Sequence, residues 1–493
     1  MTEDPIRDRI PSPLKKALAG VSAYMVGGAV RDLVMGRAPK DYDFAVLAIT
    51  ENRNGEITAP SKAHASSSPL VARASSAALQ IARALEKKPI NLGKDDKILF
   101  RIVYGDLNID ISPIQGNTIY DDLKRRDFTI NAMAYNIETD ELIDITGGLS
   151  DISEKNIRMT SDRAFTDDPI RLLRAFRFAS ELGFNIGKNT LNAIKKHAAL
   201  IIKPAGERIR DELVKMLVCG GTFPLIQTMD ETGVLAGVFP ELDDLKGCEQ
   251  NKHHSFDAFH HTLNVYRHME ACLNHTQHMG FQHLFHMDKR KKHYCFDKNR
   301  KILLLKLTAL LHDVGKKHTK TQNETGIHFY GHEKTGAEKA LEILTRLHFS
   351  NKEIEFVTAI IKNHLRPLFL YNQFTANKMT DKAANRFFMR TEPFFHDLML
   401  HAVCDMNGKI ESTDNNDFKA FIMQMMDRFE NEYMPEALKK PFITGNDLKK
   451  IFGLSPSPLF KTLLNRIEEE RFLKTVTSRE EALKKIAEYL KNL

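Results

Sequence analysis

Beyond residue 152 the strand patterning of this 493-residue chain all but disappears. Up to "TGGLSDI" at 146–152 short apolar segments alternate with turns. From "DDPIRLLRAFRFASELGF" (167–184) onward the apolar residues recur at helical spacing, broken by Gly and Pro near 203–206, 220–224 and 366–367. A chain of this length is too long for one core. The break therefore predicts an α+β head, a mixed sheet with helices, followed by an all-α body. Within the head, residues 24–50 read as strand, turn, short helix, strand, and "ILFRIVYGDLNIDISPI" (98–114) reads as one long strand or two. The Ser-, Ala-, Asn- and Pro-rich stretch 51–76 has no sustained period and is expected to be a flexible surface insertion, with a helix following in "AALQIARALEKK" (77–88). Four regions are expected: 1–150, 151–250, 251–410 and 411–493.

The densest chemistry lies in "YMVGGAVRDLVMGRAPKDYDFAV", residues 24–46. In a strand, Asp41 and Asp43 point one way while Tyr42, Phe44 and Val46 point the other. Two like charges about 7 Å apart repel, and without a counter-ion one pKa rises. A divalent cation resolves this, and oxygen ligands of this kind suit Mg²⁺. A third carboxylate on a neighbouring strand would complete a site for in-line phosphoryl or nucleotidyl transfer. "LNIDISP" offers Asp110, on the same period-2 face as Asn108 and Ser112. Gly27 and Gly28 permit a tight turn whose amides, at the start of the helix carrying Arg31 and Asp32, can cradle a triphosphate.

Further on, Pro169 is a favoured first-turn residue, so "DDPIRLLRAFRF" reads as a helix start with its acidic end matched to the dipole. On that reading Asp168 and Arg171, three apart, share a face. A carboxylate accepts and a guanidinium donates, so the pair can read a base edge as a complementary strand would. Leu172, Phe176 and Ala179 form the buried stripe.

Several classes are excluded. No apolar run reaches the roughly 18–20 residues a membrane span needs; the longest, "ILLLKLTALL" (302–311), carries Lys306 and reads as a buried helix. The N-terminus lacks the basic start and apolar stretch of a secretory signal. Five scattered cysteines without a CxxC argue against a disulfide framework and a thiolate zinc site, and fit the cytoplasm. A net charge of +7 weakly favours a polyanionic partner. Histidine is more telling: 18 of 20 lie between His253 and His401, so one region uses imidazole for something.

"GGAVRDLVMGRAPKDYDF" resembles the signature of class II nucleotidyltransferases, the bacterial CCA-adding tRNA nucleotidyltransferases and poly(A) polymerases of the polymerase-beta superfamily. The family's other motifs follow in order. "RRDFTINAMAYN" (125–136) resembles the second, in which Arg126, Asp127 and Asn131 are implied to contact ribose and phosphates; "DITGGLSDISEKNIR" (144–158) resembles the connecting motif. "DDPIRLLRAFRFASELGF" resembles the nucleotide-selecting motif, implying that Asp168 and Arg171 act as a protein template for CTP and ATP, with Arg174 and Arg177 toward phosphate. "ERIRDELVKML" (207–217) resembles the motif after it. Two departures stand out: Asp167 where the family usually has Glu, and Gln115 where an arginine often follows the third carboxylate. The resemblance implies a polymerase-beta-like head with Mg²⁺ on Asp41 and Asp43 and assistance from Asp110. Gly27, Gly28 and Arg31 would hold the nucleotide, and the partners would be the tRNA acceptor arm, CTP and ATP.

In 251–410, "FHHTLNVY", "LLHDVGKKH", "GHEKTGAE", "KNHLRP" and "CDMNGK" form a second constellation. His312 and Asp313 supply a nitrogen and an oxygen from one turn. His261 and Asp405 would complete a four-residue metal set, leaving His332 and His364 for a second ion. This order resembles the HD superfamily of metal-dependent phosphohydrolases, with Ni²⁺, Mn²⁺ or Mg²⁺ as candidate ions; the alternative is a degenerate HD fold kept as scaffold or for tRNA contact. His275, His278, His283, His286 and His293 surround "DKRKKH" and read as a solvated or RNA-facing loop. Residues 443–472 resemble the tail that follows the HD domain in bacterial tRNA nucleotidyltransferases, with Ser457 replacing a turn glycine. Its Lys449, Lys450, Lys461 and Arg466 could meet tRNA phosphate.

The expected function is template-independent CCA addition to tRNA, with an HD phosphohydrolase activity added. The alternatives are a poly(A) polymerase or partial CC- or A-adding enzyme, an HD phosphohydrolase whose head only binds nucleotide, and a non-catalytic RNA-binding protein.

Overall fold

The computed structural model describes residues 6–46, 50–51, 57–58, 69–93, 98–250, 256–274, 294–324, 326–409 and 415–491. Most of the expected insertion and the histidine-bearing stretch 275–293 lie outside the described residues. The chain divides into two compact units, Met1–Met216 with Leu225–Val238, and Leu217–Pro224 with Phe239–Leu493.

The first unit is built on a seven-stranded sheet. Its strands are β1 (Tyr24–Val26), β2 (Asp41–Val46), β3 (Ile90–Leu92), β4 (Leu99–Tyr104), β5 (Leu107–Pro113), β6 (Met133–Asn136) and β7 (Leu142–Asp144), in the order β3-β4-β5-β2-β1-β6-β7. Only β2 and β5 run parallel; the other pairs are antiparallel. Tyr42, Phe44 and Val46 enter one apolar cluster with Ile109 and Ile111, while Ala45 enters another with Val26 and Ala134. The two faces of β2 therefore separate as strand alternation requires, which leaves Asp41 and Asp43 together on the second face.

Helix α1 (Gly28–Val34) follows β1 directly, and α2 (Pro69–Ala84) covers the first sheet face with Ala74, Ala78 and Ile81. The start of α2 corrects the sequence reading, which put helix only from Ala77. Alanine at most of the inward positions disguised an ordinary helical period. Later in this unit come α3 (Arg171–Leu182) and α4 (Gly206–Leu217). Leu172, Phe176 and Ala179 are buried as expected.

The second unit is helical, with α5 (Ala258–Asn274), α6 (Lys298–Leu311), α7 (His332–Arg346), α8 (Asn351–Asn363) and α9 (Phe395–Gly408), and one small hairpin, β8 (Thr321–Asn323) with β9 (Gly326–His328). Helix α6 is apolar nearly all round and correspondingly buried. Its Lys306, 1% exposed, donates to Glu270 Oε1 at 2.6 Å, Cys219 O at 2.7 Å and Thr222 Oγ1 at 3.0 Å. Removing one partner of such a pair strands the other charge. Lys306→Met is expected to cost about 3–5 kcal/mol in denaturant unfolding, and adding Glu270→Leu should recover much of it. Equal destabilisation by the single and double variants would count against this.

Candidate active site and metal centre

In the first unit, parallel pairing sets Asp41 opposite Asn108 and Asp43 opposite Asp110. Asn108 Nδ2 donates to Asp41 Oδ1 at 2.8 Å. Asp43 is pushed up to about 6, chiefly by burial and then by Asp110, with Arg126 pulling the other way. A desolvated carboxylate with Asp110 and Asp41 beside it gains from a cation, so the residues present fit a divalent ion. Asp110 is already neutralised: Arg101, opposite it on β4, donates Nε to Oδ1 at 2.8 Å and Nη2 to Oδ2 at 2.6 Å.

Gly27 adopts φ +72°, and a side chain there would meet Arg126 Nη1 at 3.0 Å and Asp43 Oδ2 at 3.6 Å. The glycine turn therefore brings backbone, acid and guanidinium into one place. From it a buried polar chain runs inward. Arg31 Nη1 donates to Asn131 Oδ1 at 2.8 Å, Asn131 Nδ2 to Asp127 Oδ1 at 3.3 Å, and Arg174 Nε to Asp127 Oδ2 at 2.7 Å. Burial would raise the Asp127 pKa, but Arg174 outweighs it and holds the carboxyl low.

Arg126, Asp127, Asp168, Arg171, Arg174 and Arg208 share the lining of one open cavity of about 450 Å³. Two expectations are corrected here. Asp168 is not on the helix with Arg171: its backbone is extended (φ −146°, ψ 101°), and α3 starts at Arg171. Proline disfavours the helical region for the residue before it, which accounts for the break. Arg177 does not line the cavity. It is buried over Phe178 at 4.1 Å and paired with Glu212 at 2.9 Å, while Arg31 and Arg174 also pack on that ring.

In the second unit the expected ligands converge as two triads, His261, His312 and Asp405, and Asp313, His332 and His364. Asp313 is the member shared between them, which revises the expected four-plus-two division. Its Oδ2 lies 3.4 Å from His261 Nε2 and 3.1 Å from His312 Nε2; its Oδ1 lies 3.4 Å from His332 Nε2 and 3.9 Å from His364 Nε2. His261 Nε2 is 3.0 Å from Asp405 Oδ1.

The tautomers follow from local bonds. Nδ1 of His312, His332 and His364 each donates to the carbonyl three residues back, at 3.0, 2.7 and 2.7 Å. Each ring therefore turns its Nε2 inward. His332 and His364 Nε2 stand 3.3 Å apart, two ring nitrogens converging where a cation can take both. Burial, then His332 and His312, hold His364 neutral, while His312 and Lys316 overcome burial to keep Asp313 ionised. This donor set fits a pair of divalent ions.

The close approach depends on Gly315, where an added Cβ would sit 2.3 Å from His332 O. His401 was missed from the sequence. It is fully buried one turn before Asp405, 5.1 Å from the His312 ring, and neither of its nitrogens has a hydrogen-bond partner among the described residues. Its i, i+4 spacing from Asp405 was the available signal. Lys316 and Lys409 help line an adjoining cavity of about 490 Å³. In the tail, Lys449, Lys450 and Lys461 are exposed, whereas Arg466 stacks on Tyr489 at 3.6 Å.

Residues 23–158 match the Poly A polymerase head domain, 183–246 the "Probable RNA and SrmB- binding site of polymerase A", and 258–432 the HD domain. The chain is 30% identical to the A-adding tRNA nucleotidyltransferase of Deinococcus radiodurans, over 93% of this chain and 94% of that one. It is 26% identical to the CC-adding tRNA nucleotidyltransferase of Thermus thermophilus, over 93% and 92%. Its fold is similar to that of the Thermotoga maritima CCA-adding enzyme complexed with tRNA, with a TM-score of 0.60, 20% identity, and 98% and 97% of the two chains covered.

Proposed function

The chain belongs to the family of tRNA nucleotidyltransferases and poly(A) polymerases, and on that premise we propose that it completes the CCA end of tRNA from CTP and ATP without a template. The observation that carries this reading is the register that puts Asp43 opposite Asp110, on the sheet face where Asp41 also points. Asp41 and Asp43 would hold Mg²⁺, which supplies activation of the terminal 3′-hydroxyl and neutralisation of triphosphate charge. Asp110, tied through both oxygens to Arg101, assists by position. The amides of Gly27 and Gly28 and the Arg126 guanidinium receive the triphosphate. Asp127 and Asn131, linking Arg31 to Arg174, hold the ribose side of the pocket rigid, and Asp168 with Arg171 reads the base. The helical body and the exposed tail lysines take the tRNA acceptor arm, and the reaction belongs in the cytoplasm.

A second reading, favoured by the two triads, adds phosphohydrolysis of 2′,3′-cyclic phosphates or other phosphoesters, with Ni²⁺, Mn²⁺ or Mg²⁺ held by His261, His312, Asp313, His332, His364 and Asp405.

Relatives named for adding only CC or only A make the extent of addition the thing to measure. The protein is incubated with tRNA lacking CCA, tRNA ending in CC, and an unrelated RNA, each with CTP, ATP or both. Incorporation of C and then A, on tRNA alone, is the expected result. Addition that stops at CC, or that starts only from CC, replaces it with a partial activity. ATP tailing of any RNA would sink it in favour of a poly(A) polymerase.

A further inference from the structure

The carboxylate assigned to base reading is held from outside its own motif. Arg208, on α4, contacts Asp168 through Nη2 and Oδ2 at 2.7 Å, whereas Asp168 Oδ1 has no hydrogen-bond partner among the described residues. Arg171 is fixed separately, its Nη2 donating to Arg125 O at 2.9 Å and its Nη1 to Ala164 O at 3.3 Å. All three side chains line the same cavity. Backbone therefore anchors the donor half of the reader, and a single ion pair anchors the acceptor half. That pair is exposed, with 53% of the Arg208 and 32% of the Asp168 side-chain surface open. Exposed pairs of this kind contribute little to folding, so the stability of the unit does not explain it.

We propose that Arg208 is a specificity-determining positioning residue: by pinning one Asp168 oxygen it aims the other at the base edge. The proposal rests on Asp168 and Arg171 being the base readers. Cytosine and adenine each present an amino donor beside a ring-nitrogen acceptor; uracil and guanine present a carbonyl beside an N–H. An ionised carboxylate only accepts. Held in place, it rewards the amino group and repels the carbonyl oxygen. Released by loss of Arg208, it can swing to solvent. Arg171 then donates to the carbonyl of uracil or guanine as readily as to the ring nitrogen of cytosine or adenine, and selection weakens although every reader residue is still present.

The test is kcat and KM for single-nucleotide addition to tRNA lacking CCA (CTP against UTP) and to tRNA ending in CC (ATP against GTP), for whichever step the protein catalyses. Arg208→Gln should reduce the preference about tenfold, the scale of one good base contact, mainly through a higher KM for the correct nucleotide. Arg208→Lys, which can keep one N–O contact, should restore most of it. Asp168→Ala runs in parallel. If it abolishes selection while Arg208→Gln preserves it, the role of Arg208 is overturned and the reader assignment stands. If Asp168→Ala preserves selection, the reader assignment itself fails. A fall in kcat that is equal for correct and incorrect nucleotides, or no rescue by lysine, would also overturn the proposal.

Discussion

Asp43→Asn is expected to lower the kcat of nucleotide addition by on the order of a thousandfold or more, the scale seen when an essential electrostatic group is removed. Asparagine keeps the shape and the strand, so binding of tRNA and folding should survive. What it removes is a half-buried negative charge that the sheet holds at a cost, as its raised pKa of about 6 shows. A cation gains most where carboxylates are least satisfied without it. The pH dependence follows with a definite sign. Because the folded-state pKa lies above the ordinary 3.8, the ion-free fold loses stability as pH rises from 3.8 through about 6. A bound cation offsets that loss. Conversely, protons compete for the same oxygens below about 6, so the Mg²⁺ needed for half-maximal rate should rise as pH falls from 7.5 to 5.5. A flat requirement across that range, or an Asp43→Asn protein with near-normal kcat, would show that the assigned chemistry is wrong.

The second large effect belongs to Asp313. Its two oxygens face different triads, so one substitution touches both candidate ion positions. Asp313→Asn should remove most of both ions from the purified protein, measured by elemental analysis after dialysis against limiting Mn²⁺. His364→Ala should remove only one, because it meets Asp313 only on the Oδ1 side. Hydrolysis of a chromogenic phosphodiester should fall with the ion content in both, while nucleotide addition by the first unit persists. Equal metal loss in the two variants would contradict the shared-carboxylate geometry. Full metal retention by Asp313→Asn would dismiss it altogether.

Much of the site could be read from sequence where a period or a turn decides it. Strand alternation alone put Asp41 and Asp43 on one face, and Gly105-Asp106 is a two-residue hairpin loop that sets Tyr104 against Leu107. Counting back from that loop places Arg101 opposite Asp110, so the pairing was legible although it went unread. The pairing of β2 with β5 was not. About sixty residues separate those strands, and no local pattern fixes the register across so long a connection. Asp168 shows a different limit. The sequence contained the signal, since Pro169 both favours a helix start and extends the residue before it, and only the first effect was weighed. Its tie to Arg208 joins an extended residue to a helix through a surface ion pair, which no periodicity announces. The histidine centre lies between these cases: each ligand stands out as a residue, but its sharing of Asp313 comes from a close backbone approach at which Gly315 faces Gly336.

The Lys306 cluster bears on where this chain can be cut. Its anchors, Cys219 and Thr222, belong to the short stretch Leu217–Pro224, which joins the second unit although Leu225–Val238 returns to the first. A fragment beginning near residue 250, where the histidine-rich pattern starts, would leave the lysine–glutamate pair without its cap and expose it to water. An expressible histidine domain should therefore start no later than Leu217 and carry Leu225–Val238 of its neighbour with it.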